Sequence, residues 1–180
     1  GYTLPDTPTM AVHRGDTQRL EAHWRRDPSL FERRFSLSEI YPPECGCAPD
    51  GLSGMHWTPL AGATLLHIAV DFREDAIVRW LLARGANPNA RALPTAASWG
   101  GHTALFNAVV NGPWSDQTTI PALLEAGADP QLRATLRKFL DWREKPYWHE
   151  ASDVTAVEWA ATFPDSNWVN KETNALLPPS

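Results

Sequence analysis

Cysteine is nearly absent from this 180-residue chain, which holds only Cys45 and Cys47, one residue apart. That spacing would strain a bridge between them and leaves no disulfide framework, which suits a reducing compartment. Basic residues are also in short supply, with 16 Lys and Arg against 21 Asp and Glu and a net charge of −5. A chain of that sign offers phosphate backbones and anionic lipid no general attraction, which counts against nucleic acid and membrane surfaces as partners. No apolar run approaches the ~20 residues that span a bilayer, and no basic segment followed by an apolar one opens the chain. These absences describe a soluble, cytoplasmic protein.

What is present is an ordinary globular composition, 43% hydrophobic and 21% charged, so the 16 prolines belong in turns and loops of a folded chain. The length fits one domain over residues 1–180, long enough to bury a core. Tryptophan is the outlier, with nine residues. Their placement carries much of the argument.

Internal similarity begins with Gly62 to Arg91, GATLLHIAVDFREDAIVRWLLARGANPNAR. Thr64 is placed to cap a helix running through Leu66, His67 and Ala69 to about Phe72. A second helix carries Ile77, Val78, Leu81 and Leu82 on one stripe, Gly85 follows where a left-handed residue is wanted, and Pro88 prevents continuation. Gly101 starts a second copy, GHTALFNAVV, continued by IPALLEAGADPQLR: Thr103 falls on Thr64, Ala108 on Ala69, Leu123 and Leu124 on the leucine pair. A weaker copy starts at Thr155, with Ala160 as the small residue and Leu176-Leu177 as the pair. Upstream, Ala11, Gly15, Leu20 and Trp24 fit a degenerate first unit with a polar outer face.

This pattern resembles the ankyrin repeat, whose consensus opens Thr-Pro-Leu-His, places a small Ala two residues later and ends Leu-Leu-x-x-Gly-Ala-Asp. The resemblance implies an all-α helical-repeat solenoid of about four units, near 7–31, 62–91, 101–133 and 155–177. Leu65 and Ala104 stand where the consensus has Pro, Phe106 and Glu158 where it has His. Thr64, Thr103 and Thr155 are 39 and 52 residues apart against the ~33 of the family. The excess falls in three insertions, about 32–61, 92–100 and 132–154, each at the position of the finger between units. Insertions on one edge of a repeat array mark the face that meets partners, unless they fold back over the ends or the concave face.

In the third insertion, Leu132, Leu136, Phe139 and Leu140 recur at i, i+4, i+7 and i+8, which predicts a short amphipathic helix ended by Pro146. Aromatics and arginine supply large contact area with few rotors to freeze. The partner-binding candidates are Trp57, Trp99, Trp142, Arg143, Tyr147 and Trp148, with a satellite core as the competing role for Trp142 and Trp148. The five basic residues of this segment meet four acidic ones, Asp141, Glu144, Glu150 and Asp153, which argues against single-stranded nucleic acid.

Cys45, Cys47 and His56 or His67 are the only local set for a metal, and they lack the paired spacing of structural zinc sites, so loop thiols are the expectation and no cofactor is assigned. Pro49-Asp50-Gly51 is turn chemistry. No phosphate-binding glycine loop, His-Glu-x-x-His or Gly-x-Ser-x-Gly is present. His67 occupies the position that in ankyrin-like repeats serves hydrogen bonding at the helix start. His149-Glu150 would be half of an acid–base site only if the two faced each other. The expectation is a non-catalytic module that binds a protein through finger loops and the concave face, the alternative being a small-molecule or enzymatic pocket between the long insertions.

Overall fold

A computed structural model of the protein describes residues 4–45, 57–110, 118–140 and 146–163, together with Val169 and Leu177. The elements in chain order are α1 (Pro8–His13), α2 (Thr17–Arg26), α3 (Leu37–Ile40), α4 (Leu65–Asp71), α5 (Asp75–Ala83), α6 (Ala104–Val109), α7 (Thr119–Glu125), β1 (Ala134–Leu140), β2 (Tyr147–Val154) and α8 (Ala156–Ala161), with 3-10 turns at Pro28–Phe31 and Pro43–Cys45.

Local chemistry sets the helix ends. Thr7 accepts from the Met10 N–H at 3.2 Å ahead of Pro8, and Asp16 accepts from the Arg19 N–H at 3.0 Å. Thr155 and Glu158 close a reciprocal capping box at the start of α8. Helices α5 and α7 end alike: Gly85 and Gly127 take φ of 88° and 91°, and the next N–H, of Ala86 or Ala128, reaches back to Leu81 or Leu123. Only glycine adopts that left-handed turn without steric cost.

The helices pack in pairs, α1 with α2, α4 with α5, α6 with α7. First helices stack in the order α1, α4, α6, α8, and second helices in the order α2, α5, α7. Val12, Leu20, Ile68, Ala69, Ile77, Leu81, Leu105 and Leu123, contributed by both rows, are buried in one continuous core that Trp159 of α8 extends.

Every residue of α4 and α6 is buried, although these helices have neighbours on their flanks and only one further side against a second helix. The fourth side is covered by the first insertion. Ile40, Thr58 and Leu60 are buried there, the His13 ring meets the Ile40 carbonyl at 2.7 Å, Tyr41 packs on His13 and Phe72, and the Thr58 hydroxyl donates to the Phe106 carbonyl at 3.1 Å. The chain therefore fills with its own residues the face of the first-helix row that the sequence left as a candidate docking surface.

The all-α expectation is overturned by the third insertion. Ala134–Leu140 and Tyr147–Val154 form an antiparallel two-stranded sheet, with Arg137 opposite Glu150, Lys138 opposite His149, Phe139 opposite Trp148 and Leu140 opposite Tyr147, and an irregularity between Ala134 and Leu136. The helical spacing of Leu136, Phe139 and Leu140 hides a period of two. Ala134, Leu136, Lys138 and Leu140 face inward and Thr135, Arg137 and Phe139 face out. Lys138 masks the alternation, because its charged head reads as a surface residue while the side chain is buried. The protein is thus mixed, a stack of helix pairs carrying a β-hairpin finger.

Candidate partner surface on the finger edge

Backbone hydrogen bonds link the fingers side by side. Phe35 and Ala63 form a bridge, the Leu93 N–H donates to the Gly62 carbonyl at 2.9 Å, and the Gly100 N–H donates to the Thr135 carbonyl at 2.7 Å, which joins the second finger to β1. Gly62, at φ +73°, lets this happen, because a Cβ there would stand 2.8 Å from the Leu93 Cβ and 3.0 Å from the Leu93 nitrogen.

Three arginines reinforce the same edge. Arg34 donates from Nε to the Arg91 carbonyl at 2.6 Å, and Arg91 donates to the carbonyls of Gly101 and Arg133 at 2.6 and 2.8 Å. Arg133 donates to the Asp153 carbonyl at 2.8 Å and to Glu158 at 2.8 Å. Arg34 and Arg91 each bind backbone at the start of the following finger, and Arg133 ties the two ends of its own finger together. Arg91 and Arg133 both lie three residues after a proline, Pro88 and Pro130, a recurrence present in the sequence, where Pro88 was read only as a helix stop. A single nitrogen of Arg91, Nη1, donates to both carbonyls and so ties the two segments at one point. We expect Arg91→Ala to lower unfolding free energy by roughly 1–2 kcal/mol, in the range for a lost charged hydrogen bond at an exposed site. Urea unfolding checks this, and an unchanged midpoint would show the ladder to be idle.

On this frame stands an aromatic ridge. The Arg137 guanidinium lies 3.9 Å from the Trp148 ring centre and 5.7 Å from that of Trp99, and Glu150 pairs with it at 2.9 Å. Phe139 packs against Trp148 from the opposite strand, centroids 5.1 Å apart and planes 57° apart. Trp148 is 45% exposed and Leu93, on the neighbouring finger, 57%. Large apolar side chains that stay in water on a rigid edge are what an interface uses.

Of the residues singled out by sequence, the structure brings Trp99 and Trp148 together through Arg137. Trp57 is half-buried on the other side of the hairpin region, 5.9 Å from Phe163, and Tyr147 is half-buried with its ring 6.2 Å from His149. Trp142 and Arg143 lie outside the described residues, as do Cys47, His56 and the Pro49-Asp50-Gly51 turn. Arg137, Phe139 and Leu93 were missed as ridge members. Arg137 and Phe139 were assigned to a helix, where their shared face with Trp148 does not exist.

The histidines are engaged in structure. His67 Nδ1 receives the Thr64 N–H at 3.3 Å and lies 2.8 Å from the Thr64 hydroxyl, leaving Nε2–H to donate to the His102 carbonyl at 3.1 Å in the next unit. Burial pushes the His67 pKa down to about 4, the His102 carbonyl acting against it. His102, edge-on to His67 at 5.4 Å, is pushed down to about 3 by burial and then by His67, with the Pro59 backbone opposing. His149 turns inward to the Thr162 hydroxyl at 2.7 Å while Glu150 turns outward to Arg137. Strand alternation separates that pair.

The fold thus defines a helical-repeat protein with a hairpin finger. Residues 61–93 match the ankyrin repeat family model, and the chain carries an ankyrin repeat there. No curated protein matches the chain. Ankyrin repeats serve in general as protein-interaction modules, and among the described residues no helix is long and apolar enough to cross a membrane.

Proposed function

We propose that the chain is a non-catalytic, cytoplasmic protein-binding module that grips its partner with the finger edge. The single observation that carries this reading is the Trp99–Arg137–Trp148 ridge, with Trp148 exposed and Trp99 and Arg137 half-buried, tied to the scaffold through backbone bonds at Gly62, Leu93, Gly100 and Thr135. Pre-ordering of that kind reduces the entropy lost on association. The first-helix face is already filled by the protein's own residues Ile40, Thr58 and Leu60. Docking there would require their removal, so the fingers are favoured over the face.

Affinity capture from the source lysate, compared between the natural protein and the Trp99→Ala/Trp148→Ala double variant, tests the proposal. Hot-spot aromatics contribute about 2 kcal/mol or more each, so the retained partner should fall at least ~30-fold in the double variant. Its thermal midpoint should stay within a few degrees, since Trp148 is not part of the buried core. Equal capture by both forms would remove the ridge from the interface.

A further inference from the structure

The ridge has three properties that together specify the chemistry of a partner segment. The first is its charge. Residues 92–100 carry no charged side chain, and Arg137 is neutralised by Glu150 at 2.9 Å. On the ridge an acidic peptide or a phosphate backbone would find one already paired cation, and the adjoining groove carries one charge of each sign, Arg34 and Glu39, so neither sign of peptide is favoured.

The second is hydrogen bonding. The indole N–H groups of Trp99 and Trp148 donate to no acceptor among the described residues. They call for carbonyl oxygens on whatever lies across the rings. Helices and paired strands have committed their carbonyls internally, whereas a polyproline II segment has none of its backbone bonded to itself.

The third is spacing. Ring centres 3.9 and 5.7 Å from one guanidinium carbon are less than about 10 Å apart, and one turn of polyproline II, three residues at 3.1 Å, advances about 9 Å. Both indoles therefore lie within the reach of a single turn of such a segment. Beside the ridge, and joined to it by the Thr95 N–H donating to the Trp99 carbonyl at 2.8 Å, runs an open groove of about 500 Å³ lined by Phe35, Leu37, Leu93 and Pro94, with Arg34 and Glu39, of opposite charge, also on its wall. It continues the apolar surface past Trp99 and accepts an aliphatic side chain next to the prolines.

We infer that the ridge and groove bind an uncharged, proline-rich segment of the partner in the polyproline II conformation. This rests on the ridge being the partner surface. The proline rings stack on Trp99 and Trp148, the segment's carbonyls accept from the indole N–H groups, and an aliphatic residue of the segment enters the groove beside Leu93.

The test is a titration of the full chain, with its tryptophan indoles labelled with nitrogen-15 and followed by NMR. The probe is an acetylated nine-residue peptide of three Pro-Pro-Leu units, against a Gly-Ser peptide of equal length, a short oligothymidine and dilution of the protein alone. The expected result is saturable movement of the Trp99 and Trp148 indole signals with the proline peptide, none at buried Trp159, and at least tenfold weaker binding in Trp148→Ala and in Trp99→Ala, each with an unchanged melt. Equal shifts with the Gly-Ser peptide, shifts with oligothymidine in place of the proline peptide, shifts that follow protein concentration alone, or no shift at millimolar peptide would each overturn it. Should partner capture from lysate depend on the two tryptophans while the peptide fails to bind, only the polyproline assignment falls. If capture is also indifferent to them, the ridge itself is not the interface.

Discussion

Replacing Trp159 by alanine should cost about 3–5 kcal/mol of unfolding free energy, the range for emptying the site of a large buried aromatic. Trp159 has no exposed surface and lies on α8, the last of the stacked first helices. Its ring meets Phe163 edge-on at 5.0 Å and His149 at 5.1 Å, and its Nε1–H donates to the Thr58 hydroxyl at 3.2 Å. That hydroxyl in turn donates to the Phe106 carbonyl. One side chain therefore joins the α8 end of the stack, the β-hairpin and the insertion that covers α6. Truncation leaves a cavity and removes a donor from a buried chain of hydrogen bonds, two effects that add. Against a total stability of about 5–15 kcal/mol for a domain of this kind, the variant should be close to unfolded in mild urea. Trp148→Ala, by contrast, should cost less than about 1 kcal/mol, the scale of an exposed cation–π contact. Urea unfolding of both variants checks the contrast, and similar losses in the two would contradict the division between core and ridge tryptophans.

Acid should destabilise the protein well above the range in which its carboxylates titrate. His67 and His102 are fully buried and neutral, with pKa values pushed to about 4 and about 3 against an ordinary 6.5. The unfolded chain takes up protons on both as pH falls below 6.5, while the folded chain does not. Stability from these groups is thus complete above pH 6.5, is lost as pH falls, and levels off only below the folded values. Each group costs at most about 1.36 kcal/mol per pH unit, and because the unfolded rings are already half-protonated at pH 6.5 the pair removes about 3 kcal/mol between pH 6.5 and 5. His149, half-buried with its pKa also lowered by burial, acts in the same direction. Urea unfolding at pH 7 and pH 5 should show this drop, and His102→Leu should halve it by removing one of the two groups. A stability that is flat over that window would mean that the two rings are not neutral and buried as described.

The helix pairs were legible because their signals are local. Thr64 and Thr103 stand at the starts of α4 and α6, Gly85 and Gly127 at the turns that end α5 and α7, and the stripe of Ile77, Val78 and Leu81 is the face that α5 buries. His67 was legible as a helix-start residue, although its second bond, to the His102 carbonyl 35 residues away, was not. The hairpin was misread because a seven-residue window containing Lys138 satisfies a helical period as well as it does an alternating one. The pairing of Phe139 with Trp148 and of Arg137 with Glu150 breaks the tie, and those contacts exist only between the two paired strands.

By itself, then, the sequence determined the repeat unit, with its two short helices, their caps, the left-handed glycines and the apolar stripe between them. Each depends on residues within a few positions of one another, where backbone geometry and capping chemistry decide. Tertiary structure alone decided that the first insertion would fill the first-helix face, that arginines 57 and 42 residues from the carbonyls they reach would lace the fingers together, and that Trp99 and Trp148 would flank one guanidinium. Side chains such as these gain their partners only after loop closure brings distant segments together, and nothing in the local sequence states which partner wins.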